Sequence, residues 1–349
     1  MRIVVTGAAG AVGQRVVRHL HAHHPDADIL GVDRVALAAA PGTSVKQVDL
    51  GSSDLGGVFA AADTVVHLAS ATVPDAVDPS ADALELVILR RVLDAAHEAG
   101  VRHLVVLSTA MVYGAWVGNP VPFTEDAPVR PNPDFAWANV RAAVEQAALE
   151  WGVGRDVAVA VLRPTAVVTD DALGKLARVL HSARVGIAAE GDPPVQYLHV
   201  DDLVSAISVV VVSQFDGVAN VAPDGWIPPD ELRNLEGPRA RVRVPGWAAR
   251  AIAALRFGAG LSSIPPGIVP YTSHSWVVSN DRIRSLGWSA TYTNEEAWVV
   301  SHEPSTLDRL PARRQQELAL AAVGALVVLF TAGVVLVVRR ARRRERSLG

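Results

Sequence analysis

Thr6-Gly7-Ala8-Ala9-Gly10-Ala11-Val12-Gly13 decides the fold because of what stands on either side of it. Before it comes Ile3-Val4-Val5, a short β-branched run of the kind that makes a buried strand. After it, Val12, Val16, Val17 and Leu20 repeat at helical spacing. Strand, glycine turn and helix in that order build an anion site. Gly7 permits the tight turn, Gly10 lets the backbone approach a pyrophosphate, and Gly13 lets the helix pack close to the sheet. The phosphates would rest on the helix N-terminus, where free N–H groups and the helix dipole favour negative charge. Gly7, Ala9, Gly10, Ala11, Val12 and Gly13 are therefore the expected dinucleotide-binding positions of this loop. Asp33 stands twenty residues beyond Gly13, at the end of a second apolar run that starts at Asp28. A carboxylate there accepts hydrogen bonds from the adenosine ribose and repels a 2′-phosphate, which favours NAD over NADP. Arg34 follows directly and softens that repulsion.

Further runs over 45–50, 64–69, 101–107 and 157–162 predict four more strands. Leu84, Val87, Ile88, Val92, Leu93 and Ala96 mark an amphipathic helix over 82–100 that stops at Gly100. Strands apolar on both faces, alternating with helices, predict a doubly wound parallel α/β sheet of the Rossmann type over 1–165. Pro-rich stretches at 192–194, 223–229 and 264–270 then break the alternation, which predicts a smaller substrate-side lobe over 166–300. Residues 301–317 read as a linker.

Leu318 to Val338 is a run of 21 residues without a charge, and a membrane-crossing helix needs about 20. The run predicts a single transmembrane helix over 318–338, followed by a basic tail over 339–349. The first residues lack the run of about seven apolar residues that a secretory signal needs. The expectation is a membrane-associated protein whose globular part is cytoplasmic. A cytoplasmic domain before one span puts the tail outside, yet Arg-rich flanks prefer the cytoplasm, so topology stays open. The tail is basic while the whole chain has a formal charge of −4, so the rest is acidic, which argues against a nucleic-acid partner. With no cysteine in the chain, disulfides, thiolate metal sites and Cys nucleophiles are excluded. His19, His21, His23 and His24 cluster without a carboxylate scaffold and read as solvated surface, so no metal is expected. Cations are almost all Arg; Lys occurs only at 46 and 175.

The chain resembles the extended short-chain dehydrogenase/reductase superfamily, in its NAD-dependent epimerase/dehydratase branch. The resemblance covers about residues 1–300. Its carriers are the glycine loop, Val48-Asp49-Leu50, His67-Leu68-Ala69-Ser70, Val92-Leu93-Asp94-Ala95-Ala96, Ser108-Thr109-Ala110-Met111-Val112-Tyr113-Gly114, Leu162-Arg163-Pro164 and His199-Val200-Asp201-Asp202-Leu203. It implies that Asp49 and Leu50 lie around the adenine, and that Leu68, Ala69, Ser70 and Pro164 line the cofactor. It implies a nucleotide-sugar ligand, a proton-relay hydroxyl at Thr109, and homodimers formed through helices near 82–99 and 135–151.

The same resemblance exposes a gap. The family's proton donor is a Tyr followed four residues later by a Lys, which lowers the phenol pKa and holds the nicotinamide ribose. Counting back from Glu145, those places hold Trp137 and Arg141. An indole N–H only donates and does not titrate in water. Arg141 keeps the charge and could bond the ribose, but it stays protonated and presents a different geometry from Lys. The four tyrosines, 113, 197, 271 and 292, are followed at that spacing by Val117, Asp201, Ser275 and Glu296, so no shifted motif replaces the missing pair. The family's Asn in the helix after the fourth strand is replaced by Glu85. Two readings lead, ahead of a weaker third in which the chain is a purely structural anchor with an empty site. In the first the chain binds NAD with impaired or absent standard redox catalysis. In the second it is an active epimerase, dehydratase or reductase that relays protons through Thr109 or Tyr113.

Overall fold

The structure is a computed structural model that describes residues 1–36, 38–39, 42–170, 172–184, 186–237, 241–302 and Arg314. Met1–Leu235 and Arg241–His302 form one compact unit; the other unit, Glu236–Ala240 with Glu303–Gly349, lies almost wholly outside the described residues.

Twelve strands are described: β1 Arg2–Thr6, β2 Asp28–Asp33, β3 Ser44–Gln47, β4 Thr64–His67, β5 His103–Leu107, β6 Ala158–Pro164, β7 Ala166–Thr169, β8 Ala172–Leu173, β9 Gly186–Ala189, β10 Tyr197–His199, β11 Gly217–Val221 and β12 Arg241–Val244. Seven make the main sheet, in the order β11-β6-β5-β4-β1-β2-β3, and every neighbouring pair in it is parallel. The chain starts in the middle, runs outward through β2 and β3, then crosses back to β4 on the other side of β1. That reversal opens a crevice at the carboxyl ends of β1 and β4, the place where open parallel sheets bind ligands.

Both faces of the sheet are covered. Ile3 and Val5 face α1 (Ala11–His23), which buries Gly13, Val16, Val17 and Leu20. Val4, one residue out of phase, faces the cluster built on Leu89, Val92, Leu93 and Val144. Leu89, Val92 and Leu93 come from α3 (Pro79–Glu98) and Val144 from α4 (Ala136–Gly152), with α2 (Gly56–Phe59) packed beside α3. Helix α3 starts three residues earlier than the apolar pattern indicates. Asp78 caps it by accepting from the N–H groups of Ser80 and Ala81, and Pro79 fits the first turn, where its missing N–H is not needed. It ends before Gly100, whose φ of +70° is the left-handed stop.

Beyond β6 the chain builds a three-stranded sheet, β10-β7-β8, and a two-stranded one, β12-β9. Helices α5 (Lys175–Arg184) and α6 (Val200–Ser213) belong to this part, and α6 packs back on α1. A second core lies here, with Tyr113, Phe135, Tyr271 and Trp276 among its buried aromatic rings. Strand β11 also arises here, inside the stretch assigned from sequence to the substrate-side lobe, and joins the main sheet next to β6.

The expectation of a C-terminal transmembrane helix is corrected. Among the described residues no helix is long and apolar enough to cross a membrane. The longest, α3, has 20 residues but carries charges along its outer face; the more apolar α6 has 14 residues, about 21 Å at the usual helical rise. The run at 318–338 lies outside the described residues, as do nearly all of the expected linker and the whole basic tail. Length and lack of charge make a segment only a candidate for crossing. The expected membrane-associated location rested on that run alone and is withdrawn with it.

Candidate active site

The glycine loop closes onto the sheet as its spacing demands. Gly7 has φ +72°, and a Cβ there would stand 2.6 Å from the Ala69 amide nitrogen. A Cβ on Gly13 would stand 2.1 Å from the Gly7 carbonyl oxygen. Gly10 caps α1 without a side chain, and no acid occupies the first turn, so the helix amides and the positive end of the dipole are left for a ligand. Asp33, at the end of β2, accepts from Ala9 N–H at 2.9 Å and from Val35 N–H at 3.0 Å, which fixes the loop against the second strand. Neither Gly7 nor Gly13 has room for a Cβ, so glycine lets β4 and α1 close on the loop, and Gly10 at the α1 N-terminus lines the cavity.

A cavity of about 720 Å³ opens from this loop. Gly7, Gly10, Val12, Asp33, Asp49, Leu50, Leu68, Ala69 and Ser70 line it, and so do Trp137 and Arg141. Ala9, Ala11 and Gly13 shape the loop without reaching the wall, and neither Pro164 nor Thr109 reaches it. Asp49 accepts from Gly51 N–H at 2.9 Å and from the Ser52 hydroxyl at 2.9 Å; the Gly51 bond, then the Ser52 bond, hold its carboxyl below the usual range.

Trp137 and Arg141, one helical turn apart on α4, reach the same cavity wall. The Arg141 guanidinium carbon lies 5.8 Å from the indole centroid, and the Phe135 ring supports the indole at 5.9 Å. Arg141 is committed elsewhere. Its Nη2 donates to Glu85 Oε1 at 2.7 Å, to Thr72 Oγ1 at 3.0 Å and to Ser70 Oγ. Glu85 Oε2 accepts from Ala71 N–H at 2.5 Å, Thr72 N–H at 3.2 Å and the Ser70 hydroxyl at 3.1 Å. Both partners are buried, with side chains 8% and 3% exposed. Two of the three departures from the family pattern, Arg141 and Glu85, thus meet in one ion pair, which clamps the loop after β4. His67 lies beneath it, donating or accepting with Thr6 Oγ1 at 2.8 Å; burial pushes its pKa down to about 4, against a rise from Glu85 and with a further lowering from Arg141.

The expected relays sit off the wall. Thr109 is buried, and its Oγ1 accepts from Met111 N–H at 3.3 Å, capping the short 3-10 turn Ala110–Tyr113. Tyr113 is buried too. Its hydroxyl donates to Asn220 Oδ1 at 2.8 Å and accepts from Arg163 at 2.6 Å, and burial raises its pKa above the usual phenol value. Of the hydroxyl-bearing residues from Ser108 to Tyr113, Ser108 is the one that lines the cavity, and it donates to Glu145 Oε2 at 2.9 Å; Glu145 in turn is ion-paired with Arg163. Sequence reasoning missed Ser108 and Lys175 as cavity residues. Only the rarity of lysine pointed to the second.

A family model described as the NAD dependent epimerase/dehydratase family matches residues 3–222. A Streptomyces protein named 3-diazoavenalumate denitrifying reductase is 30% identical over 312 residues, covering 84% of this chain and 97% of its own. An uncharacterized protein of Mycobacterium tuberculosis is 26% identical over 310 residues, covering 85% of this chain and 82% of its own. Among solved structures, a Thermus thermophilus UDP-glucose 4-epimerase in complex with NAD aligns with a TM-score of 0.65 at 21% identity, covering 86% of this chain and 97% of that one. At that identity the likeness is one of fold.

Proposed function

The chain belongs to the NAD dependent epimerase/dehydratase family, and from that premise we propose that it binds NAD in the cavity above the glycine loop but lacks the proton relay for ordinary alcohol–carbonyl exchange. The observation that carries this is Trp137 on the cavity wall with Arg141 tied to Glu85. Bound NAD supplies hydride exchange at its nicotinamide ring. The protein's part is to cradle the phosphates on the α1 N-terminus, to offer Asp33 near the adenosine end, and to close one wall with the indole. At that wall Trp137 can donate a hydrogen bond or stack, but it cannot take up or release a proton near neutral pH. Loss of a general acid–base group lowers rates by about 10²–10⁴-fold. Calorimetry on the full chain should show NAD binding, and a panel of UDP-glucose, UDP-glucuronate and dTDP-glucose should show turnover at least about 100-fold below that of an active epimerase. Turnover at ordinary rates would overturn the proposal.

A second reading is favoured by the Streptomyces relative, whose name makes it a denitrifying reductase of a diazo compound. Replacement of a diazonium group by hydride breaks the carbon–nitrogen bond, forms a carbon–hydrogen bond and releases dinitrogen. It draws no proton from a side chain, so Trp137 in place of the family's Tyr suits it. On this reading NADH oxidation by the full chain depends on an aryl diazonium salt and is matched by dinitrogen release. Nucleotide sugars would leave NADH unchanged.

A further inference from the structure

Three cations line the cavity: Arg34, Arg141 and Lys175. Arg141 is neutralised by Glu85 at 2.7 Å. Arg34 follows Asp33 in the chain and bears on Asp49, the two carboxylates of the cavity wall, where the adenosine half of the dinucleotide belongs. Lys175 is different. It opens α5, in the part of the chain beyond the sixth strand, its residue is exposed, and it has neither ion pair nor hydrogen bond among the described residues. It is also one of only two lysines in a chain that otherwise uses Arg. The cavity therefore offers a substrate one uncompensated positive charge and, on Trp137, one flat aromatic face.

We propose that Lys175 and Trp137 select a planar monoanion, a carboxylate carried on an aromatic or conjugated frame. This rests on the NAD-binding reading above and adds the substrate class. A lone ammonium matches one negative charge; the two charges of a nucleoside diphosphate call for a second cation beside Lys175, and the other two on the described wall are placed elsewhere, Arg141 on Glu85 and Arg34 at the adenosine end near Asp33 and Asp49. The indole face rewards a flat partner over a sugar ring through stacking.

The test uses the full chain saturated with NAD and reads binding of three probes, 4-hydroxycinnamate, 2-naphthoate and UDP-glucose, by calorimetry. The expected result is that the two carboxylates bind more tightly than UDP-glucose. Lys175→Ala should weaken them about tenfold, as loss of a charge-assisted contact does, while Lys175→Arg keeps most of the affinity. Raised salt should weaken the wild type and leave Lys175→Ala nearly unmoved, a response that a merely structural lysine would not give. NAD affinity, measured alongside, should stay within about twofold in every variant. Tighter binding of UDP-glucose, no binding of either carboxylate, or equal carboxylate binding by Lys175→Ala would each overturn the proposal. Failure of the wild type to bind NAD would instead sink the cofactor reading beneath it.

Discussion

Glu85→Leu and Arg141→Met, made singly and together, probe the ion pair beneath the cavity. The side chains are 3% and 8% exposed and meet at 2.7 Å, so either single change strands a buried charge. That costs about 3–5 kcal/mol, a large share of the total stability of about 5–15 kcal/mol for a folded protein. The double variant strands no charge. Apolar replacement of a buried pair is often neutral or stabilising, but here Ala71 and Thr72 N–H lose their acceptor, so a net loss of about 2 kcal/mol is expected. The double should thus be no less stable than either single, with a coupling of about 3 kcal/mol or more. Urea unfolding followed by tryptophan fluorescence gives all four stabilities, provided the slope with denaturant is shared. Additive single losses would refute the reasoning, since they would mean that Arg141 and Glu85 do not depend on each other.

Three further outcomes are expected. His67 is held neutral by burial, with its pKa lowered from 6.5 to about 4. The unfolded chain then binds the extra proton, so stability is full above about pH 6.5, falls by about 3 kcal/mol as pH drops to about 4, and levels off below; His67→Gln should flatten that part of a stability–pH curve. Gly13→Ala would put a Cβ 2.1 Å from the Gly7 carbonyl oxygen and should abolish NAD binding in calorimetry, while Gly57→Ala, with nothing within 4 Å, should leave it intact. Rebuilding the family arrangement as Trp137→Tyr with Arg141→Lys and Glu85→Asn should raise turnover of a nucleotide sugar about 100-fold over the wild type, measured as product formed with NAD bound.

The nucleotide half of the fold was legible because its signals are local. Ile3 to Val5, the glycine spacing and the Val16-Val17-Leu20 face each describe a contact made within a few residues. Strand β11 was not legible. Gly-Val-Ala-Asn-Val has a polar residue at a fully buried position, where Asn220 Oδ1 accepts from Tyr113, over a hundred residues earlier. The site shows the same division. Trp137, Arg141 and Glu85 could each be recognised as departures, but the meeting of Glu85 with Arg141 spans 56 residues and follows from the packing of α3 against α4. Thr109 was placed by motif, yet the backbone turn that follows it buries its hydroxyl and brings Ser108 to the cavity instead. The uncharged run at 318–338 satisfied a length rule that says what could cross a bilayer and nothing about what does.

A crystal structure of the full chain with NAD bears most directly on the central claim. The account predicts that the Arg141 guanidinium stays on Glu85 and that the Trp137 indole faces the nicotinamide, with no ionisable side chain within hydrogen-bonding reach of a substrate oxygen at the hydride-bearing carbon. An Arg141 that leaves Glu85 for the ribose, together with the hydroxyl of Tyr113 or Thr109 moved beside that carbon, would contradict it.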